Sequence, residues 1–146
     1  TLDLEDGAAV GGEREHALLA AELAAGPANR FGRVGVRVHA PQHPHFADDV
    51  RAVVAGAGAR LAYLMVPKCG GVAELRGAIA LIERACREHG LARPLPVHAL
   101  IETHGALREV AQVAALPAVE SLSFGLMDFV SAHRGAIPAS AMRGDG

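Results

Sequence analysis

The chain has 146 residues, 51% of them apolar and only 3% aromatic, and its 14 basic and 16 acidic side chains leave a net charge of −2. That content suits one ordinary domain with a sizeable core. A near-balanced charge with few aromatic platforms argues against a nucleic-acid partner, and no run nears the roughly 20 apolar residues that cross a bilayer.

Taken in chain order, the opening TLDLEDG lacks the basic-then-apolar pattern of a signal peptide. Its residues 2–4 form the first of five short apolar runs expected as strands. Residues 13–25 carry apolar side chains at helical spacing, and Gly26 stands where a helix end favours a left-handed residue. A second strand is expected at 34–38, a short helix at 48–57 and a third strand at 61–66. The longest helical pattern, 72–89, is followed by Gly90, again in a capping position. A strand at 97–101, a helix at 106–115 and a strand at 119–124 complete the series. Residues 134–146 lose periodicity and read as loop. The two cysteines, Cys69 and Cys86, are expected as free thiols of a reducing compartment, which together with the leaderless start points to the cytoplasm.

Runs such as VGVRV and VHALI do not alternate between apolar and polar residues, as expected for strands buried on both faces of a parallel sheet. Repeated strand–helix alternation then leaves a doubly wound sheet or a (β/α)₈ barrel. The charged residues favour the barrel. Glu5 and Asp6, Arg37, Lys68, Glu102 and, after the last strand, Asp128 stand at or near the carboxyl ends of the expected strands, and a barrel gathers such ends around one mouth. GGVAELRG follows a strand but lacks the glycine spacing of a dinucleotide or P-loop site.

Glu102 and Asp128 close the runs ALIET and LSFGLMD. Two carboxylates meeting at a barrel mouth are what Mg²⁺ requires, with waters and substrate oxygens completing its shell; the competing reading is loop carboxylates or helix caps. The histidines of HAPQHPH, His39, His43 and His45, could form a zinc loop, although proline-rich turn chemistry explains the segment.

The motifs LDLEDGAAV, GVRVHAP, YLMVPK and HALIETHGALREVAQVAALPAVESLSFGLMDF occur in that order over about residues 1 to 130. Jointly they resemble the citrate lyase β-subunit (CitE-like) branch of the HpcH/HpaI aldolase and citrate lyase family. The resemblance implies a (β/α)₈ TIM barrel of the phosphoenolpyruvate/pyruvate superfamily type. It implies Mg²⁺ held by Glu102 and Asp128, and cleavage or formation of a carbon–carbon bond beside a coenzyme A thioester. Arg37 matches the arginine that contacts the keto-acid or hydroxy-acid substrate. Glu5 and Asp6 match an acidic pair expected to orient Arg37 or metal-bound water, with helix capping by Asp6 as the alternative. Lys68 would neutralise substrate or buttress the mouth, and Gly125 would let the backbone approach the ligand.

Several departures are visible. His39 replaces an expected Asn and His104 a small residue, which would shape a different substrate pocket, while LMD replaces the commoner acidic-Asp ending and the SAHRGAIPASAMR after it is unlike citrate lyase proper, which argues against citryl-CoA itself. The family barrel has one strand before these five and two after, so the 146 residues are expected to be part of a longer protein. In the family the carboxyl-terminal region supplies further active-site parts, often to a neighbouring subunit of a trimer or hexamer. Two other functions are carried forward: a CoA-independent pyruvate-type aldolase and a non-catalytic binding subunit.

Overall fold

The structure is a computed structural model that describes residues 1–7 and 10–142, all with side chains except 139 and 142. Five parallel strands lie in the order of the sequence, β1 (Leu2–Asp3), β2 (Val36–Arg37), β3 (Leu64–Val66), β4 (Val97–Ile101) and β5 (Val119–Phe124). Each is joined to the next through helical structure: α1 (Glu13–Ala25), α2 (Phe46–Ala57), α3 (Val72–Glu88), and the pair α4 (His104–Arg108) and α5 (Val110–Ala114). A last helix, α6 (Leu126–Ala132), follows β5. Among the described residues no helix is long and apolar enough to cross a membrane.

The register sorts the side chains by face. Leu2, Val36, Leu64, Val97 and Val119 form one row across the sheet, and the next row is Asp3, Arg37, Met65, His98 and Ser121. Val36, Leu64 and Val97 are fully buried; their row is packed under the helices. Because successive residues of a strand point to opposite faces, the polar row lies on the other face. Glu102 stands two pleats beyond His98 on that same face. The strands thus send apolar residues to the helix layer and their polar partners to one common surface.

The helices bury one stripe each. Leu75, Ala78, Ile79, Ile82, Ala85 and Cys86 of α3 are buried, as are Val50, Val53 and Val54 of α2, at the three- and four-residue spacing of a helix face. The buried stripe of α1 is all alanine, at 17, 20, 21 and 24, small enough to seat it closely on α2.

Most expected elements are present, with informative differences. The first three strands are shorter than the apolar runs, yet pairing continues past their ends. Leu4 N–H donates to Arg37 O, Val38 N–H to Met65 O and Ala62 N–H to Val34 O. The helix expected at 106–115 is broken at Glu109, whose carboxylate accepts the Val72 N–H at the start of α3 (2.7 Å). A negative charge is favoured at a helix N-terminus, and this tertiary contact overrides the local pattern. Gly90 is left-handed (φ 69°) as expected, but Gly26 is extended (φ −69°, ψ 169°) because Pro27 follows it and excludes the helical region. The expected loop 134–146 contains a short 3₁₀ turn at Ala139–Met142; its residues 143–146 lie outside the described ones.

Candidate active site

The first four strands deliver their site residues at or just past the carboxyl end and α6 delivers Asp128 after the fifth, so the residues meet although they are far apart in sequence. Arg37 is the hub. Its Nε and Nη2 donate to the two carboxylate oxygens of Asp3 at 2.7 and 2.6 Å, and Nη2 donates also to Asp6 at 2.8 Å. Glu5 Oε2 lies 3.0 Å from Nη1, but off the N–H direction, so this buried oxygen makes no hydrogen bond. The other Glu5 oxygen is 2.8 Å from Lys68 Nζ, which is also 3.6 Å from Asp128. Glu102 is almost fully buried (3% exposed) and accepts the backbone N–H of Lys68 at 2.7 Å.

Five carboxylates therefore surround two cations. Their electrostatics follow from that ratio. Arg37 is held above its ordinary pKa, chiefly by its hydrogen bond to Asp3. Burial pushes the Asp3 carboxyl up, but Arg37 and the backbone N–H groups of Glu5 and Asp6 outweigh it and leave Asp3 below its ordinary value. Burial likewise opposes the charge on Lys68, and Glu5 with Asp128 reverses the effect and raises it. Glu102 is raised, first by burial and then by repulsion from Asp128 and Glu5, against the favourable Lys68 N–H. The Cys69 thiol nearby is pushed up to about 12 by burial, so no thiolate is poised to act as a nucleophile.

The raised pKa of Glu102 has a stability consequence. Its ionised form is costly in the ligand-free protein above that raised pKa, and the cost is gone below its ordinary value of 4.5. Glu102→Gln, which can still accept the Lys68 N–H, is therefore expected to raise the thermal midpoint of ligand-free protein at pH 7. The gain should shrink as pH falls towards 4.5, as followed by calorimetric melting; a lower midpoint at pH 7 would contradict this origin.

Other expected residues fall as follows. Asp128 does not end a strand: it lies in the first turn of α6, one helical turn after Gly125. Gly125 is pressed against the site, since a Cβ there would overlap Glu102 Oε2. Asp6 faces Arg37, and the residue before α1 is Gly12, with no side-chain cap. His39 is buried, with Nδ1 2.6 Å from Asp49, and its ring stacks on His43 at 4.2 Å. His39 and His43 line a cavity of about 310 Å³ together with Glu5, Asp6 and Lys68. His104 packs instead on His133 and Phe129. Among the described residues no group of three His, Cys, Asp or Glu side chains gathers at one metal position. Asp3 is the site residue that sequence reasoning passed over; its signal was the two-residue spacing that places it on the face of Glu5.

The sequence model of the HpcH/HpaI aldolase/citrate lyase family matches residues 1–137. The chain belongs to this family. An L-malyl-CoA/β-methylmalyl-CoA lyase of Cereibacter sphaeroides is 30% identical over 99 residues, which are 67% of this chain and 31% of that protein. Over its whole length the chain resembles 46% of a citrate lyase from Burkholderia xenovorans, with 55% identity and a TM-score of 0.94. Protein CitE of Mycobacterium tuberculosis, solved with magnesium and acetoacetate, is 26% identical with a TM-score of 0.70 over 99% of this chain and 51% of that one. The five parallel strands are a segment of a TIM-barrel-type fold. The chain spans about a third of the curated relatives it matches and about half of these two solved chains.

Proposed function

We propose that this chain carries the metal-binding part of a Mg²⁺-dependent carbon–carbon lyase. Its substrate is the CoA thioester of a small hydroxy acid, and its products are an acyl-CoA and a keto acid such as oxaloacetate or glyoxylate. The observation that carries the metal is the excess of carboxylates over cations at the strand ends, with one buried Glu5 oxygen left without a hydrogen bond. Such hard oxygen donors suit Mg²⁺, which is commonly held by one or two carboxylates with water and substrate filling its remaining positions. Glu102 and Asp128 would hold it. Bound there, it supplies Lewis-acid polarisation of an oxygen of the small acid.

The chain's own residues supply the rest. The hydrogen bonds of Arg37 use Nε and Nη2, and Nη1, paired with Glu5 at 3.0 Å but not hydrogen-bonded to it, keeps N–H groups for the acid's carboxylate or for charge developing on its carbonyl oxygen. Asp3, Glu5 and Asp6 fix the guanidinium for that purpose. In the cleavage direction the hydroxyl proton leaves to a base and the hydroxyl carbon becomes the keto carbon. The electron pair of the broken carbon–carbon bond passes into the thioester enolate, which then takes a proton. A cavity of about 310 Å³ beside Lys68, lined also by Glu5, Asp6, Glu13, His39 and His43 but not by Arg37, Glu102 or Asp128, lies at the small end of ligand pockets and has room for the acid rather than the whole CoA ester. We place the enzyme in the cytoplasm as a trimer or hexamer whose barrel is completed by strands outside these residues.

Calorimetric titration of the full-length protein with Mg²⁺, with and without oxaloacetate or glyoxylate, tests the reading. Metal and acid should bind cooperatively, and Glu102→Ala should weaken Mg²⁺ by more than ~10-fold, as losses of metal partners do. Unchanged binding in that variant would sink the assignment. Cleavage of a free hydroxy-keto acid without CoA would shift it to a pyruvate-type aldolase.

A further inference from the structure

Lys68 meets the carboxylate cluster in two ways at once. Its peptide N–H donates to Glu102 at 2.7 Å, while its ammonium lies 2.8 Å from Glu5 and 3.6 Å from Asp128. Its backbone is left-handed, φ 52°, a conformation that among the described non-glycine residues only Arg134 shares and that a residue with a Cβ adopts at a cost. The two ammonium contacts are unequal. The Glu5 carboxylate is 7% exposed and in close contact, whereas the Asp128 pair is long and its partners are 35% and 41% exposed. Glu5 is the tether and Asp128 the looser partner.

We propose that the Lys68 ammonium is the site's internal counter-cation, occupying Asp128 until a divalent ion takes that carboxylate and then turning to the carboxylate of the incoming acid. This rests on the reading of Glu102 and Asp128 as metal-binding groups. An ammonium beside a dication is repelled by it, so metal alone binds less tightly than its carboxylates would allow. Lys68 also lines the cavity that His39 and His43 share, where an anionic acid relieves the repulsion. Metal and acid then assist one another through Lys68, and such coupling is reciprocal.

The test titrates full-length protein with MgCl₂ alone, then with oxaloacetate present, for wild type, Lys68→Met, Lys68→Arg and Glu102→Ala. Lys68→Met should bind Mg²⁺ alone ~5- to 10-fold more tightly than wild type at low ionic strength. The difference should shrink as salt is added, and most of the cooperativity with the acid should disappear. Lys68→Arg should stay near wild type. Lys68→Gly, which suits the left-handed backbone, provides a second charge-free variant should the methionine protein misfold. Unchanged or weaker Mg²⁺ binding in the folded charge-free variant, with binding still lost in Glu102→Ala, overturns the counter-cation role and leaves the metal reading standing. No Mg²⁺ binding by wild type or by the charge-free variant, with or without acid, overturns both.

Discussion

Gly125→Ala is expected to lower kcat/KM on a CoA thioester by about 100-fold in the full-length protein, the scale on which misplacement of catalytic groups by about 1 Å is felt. The backbone at Gly125, φ −88° and ψ 78°, is not in the left-handed region, so the obstacle is the side chain itself. A Cβ there would overlap Glu102 Oε2 and lie 2.8 Å from Glu102 Cβ. Glu102 cannot simply retreat, because its other oxygen holds the Lys68 N–H at 2.7 Å. Nor can the turn slide, since Gly125 N–H donates to Ile101 O at 3.1 Å. Circular dichroism should remain native and Mg²⁺ binding should weaken in parallel with turnover. Gly77→Ala is the control, since a Cβ at that position meets nothing within 4 Å. Full activity in Gly125→Ala would mean that Glu102 is not at the reacting centre.

Arg37→Lys should lose about 100-fold or more in turnover, and Arg37→Met should in addition destabilise the protein at pH 7. Lysine keeps the charge but not the fork that grips both oxygens of Asp3 while reaching Asp6. Methionine leaves Asp3, Glu5 and Asp6 to repel one another. Stranding a fully buried charge costs about 3–5 kcal/mol, but Asp3 is 34% and Asp6 61% exposed, so solvent screening brings the expected loss to about 2 kcal/mol. The pH dependence has a definite sign. Asp3 is held below its ordinary value of 3.8, so the stability it gains from Arg37 is present above that value and lost as pH falls through the lowered pKa. Urea denaturation should therefore show the gap between wild type and Arg37→Met closing below pH 3.8. A gap that persisted there would assign the loss to packing of the side chain.

Much of this arrangement was legible before any coordinates. Apolar runs ending in charged residues placed all five strands and named Glu5, Asp6, Arg37, Lys68 and Glu102 as neighbours, because a parallel sheet aligns its carboxyl ends whatever lies between them. What escaped was of two kinds. Some signals were present but unread: Gly26 is followed by Pro27, which dictates an extended residue, and Asp3 precedes Glu5 by one pleat. Others are set by contacts that no local window contains. At Glu109 the helix break coincides with the carboxylate that accepts the Val72 N–H, and LMDFVSA, apolar apart from Asp128 and Ser131, reads as well as the continuation of a strand as it does as a helix. The crowding of Arg37 by three acids could not be counted until the register was known.

The sheet order β1-β2-β3-β4-β5 also dictates a timetable. Each of β2 to β5 pairs with the strand made just before it, so during synthesis each new unit can dock on a neighbour that is already made. The β1 unit brings Asp3, Glu5 and Asp6 ahead of the two site cations. Arg37 arrives with the second and Lys68 with the third, and each neutralises acids already in place. Glu102 and Asp128 come last and widen the excess of acids over cations already present. The nascent chain thus brings in both of its site cations before the two carboxylates that the proposed function assigns to the metal.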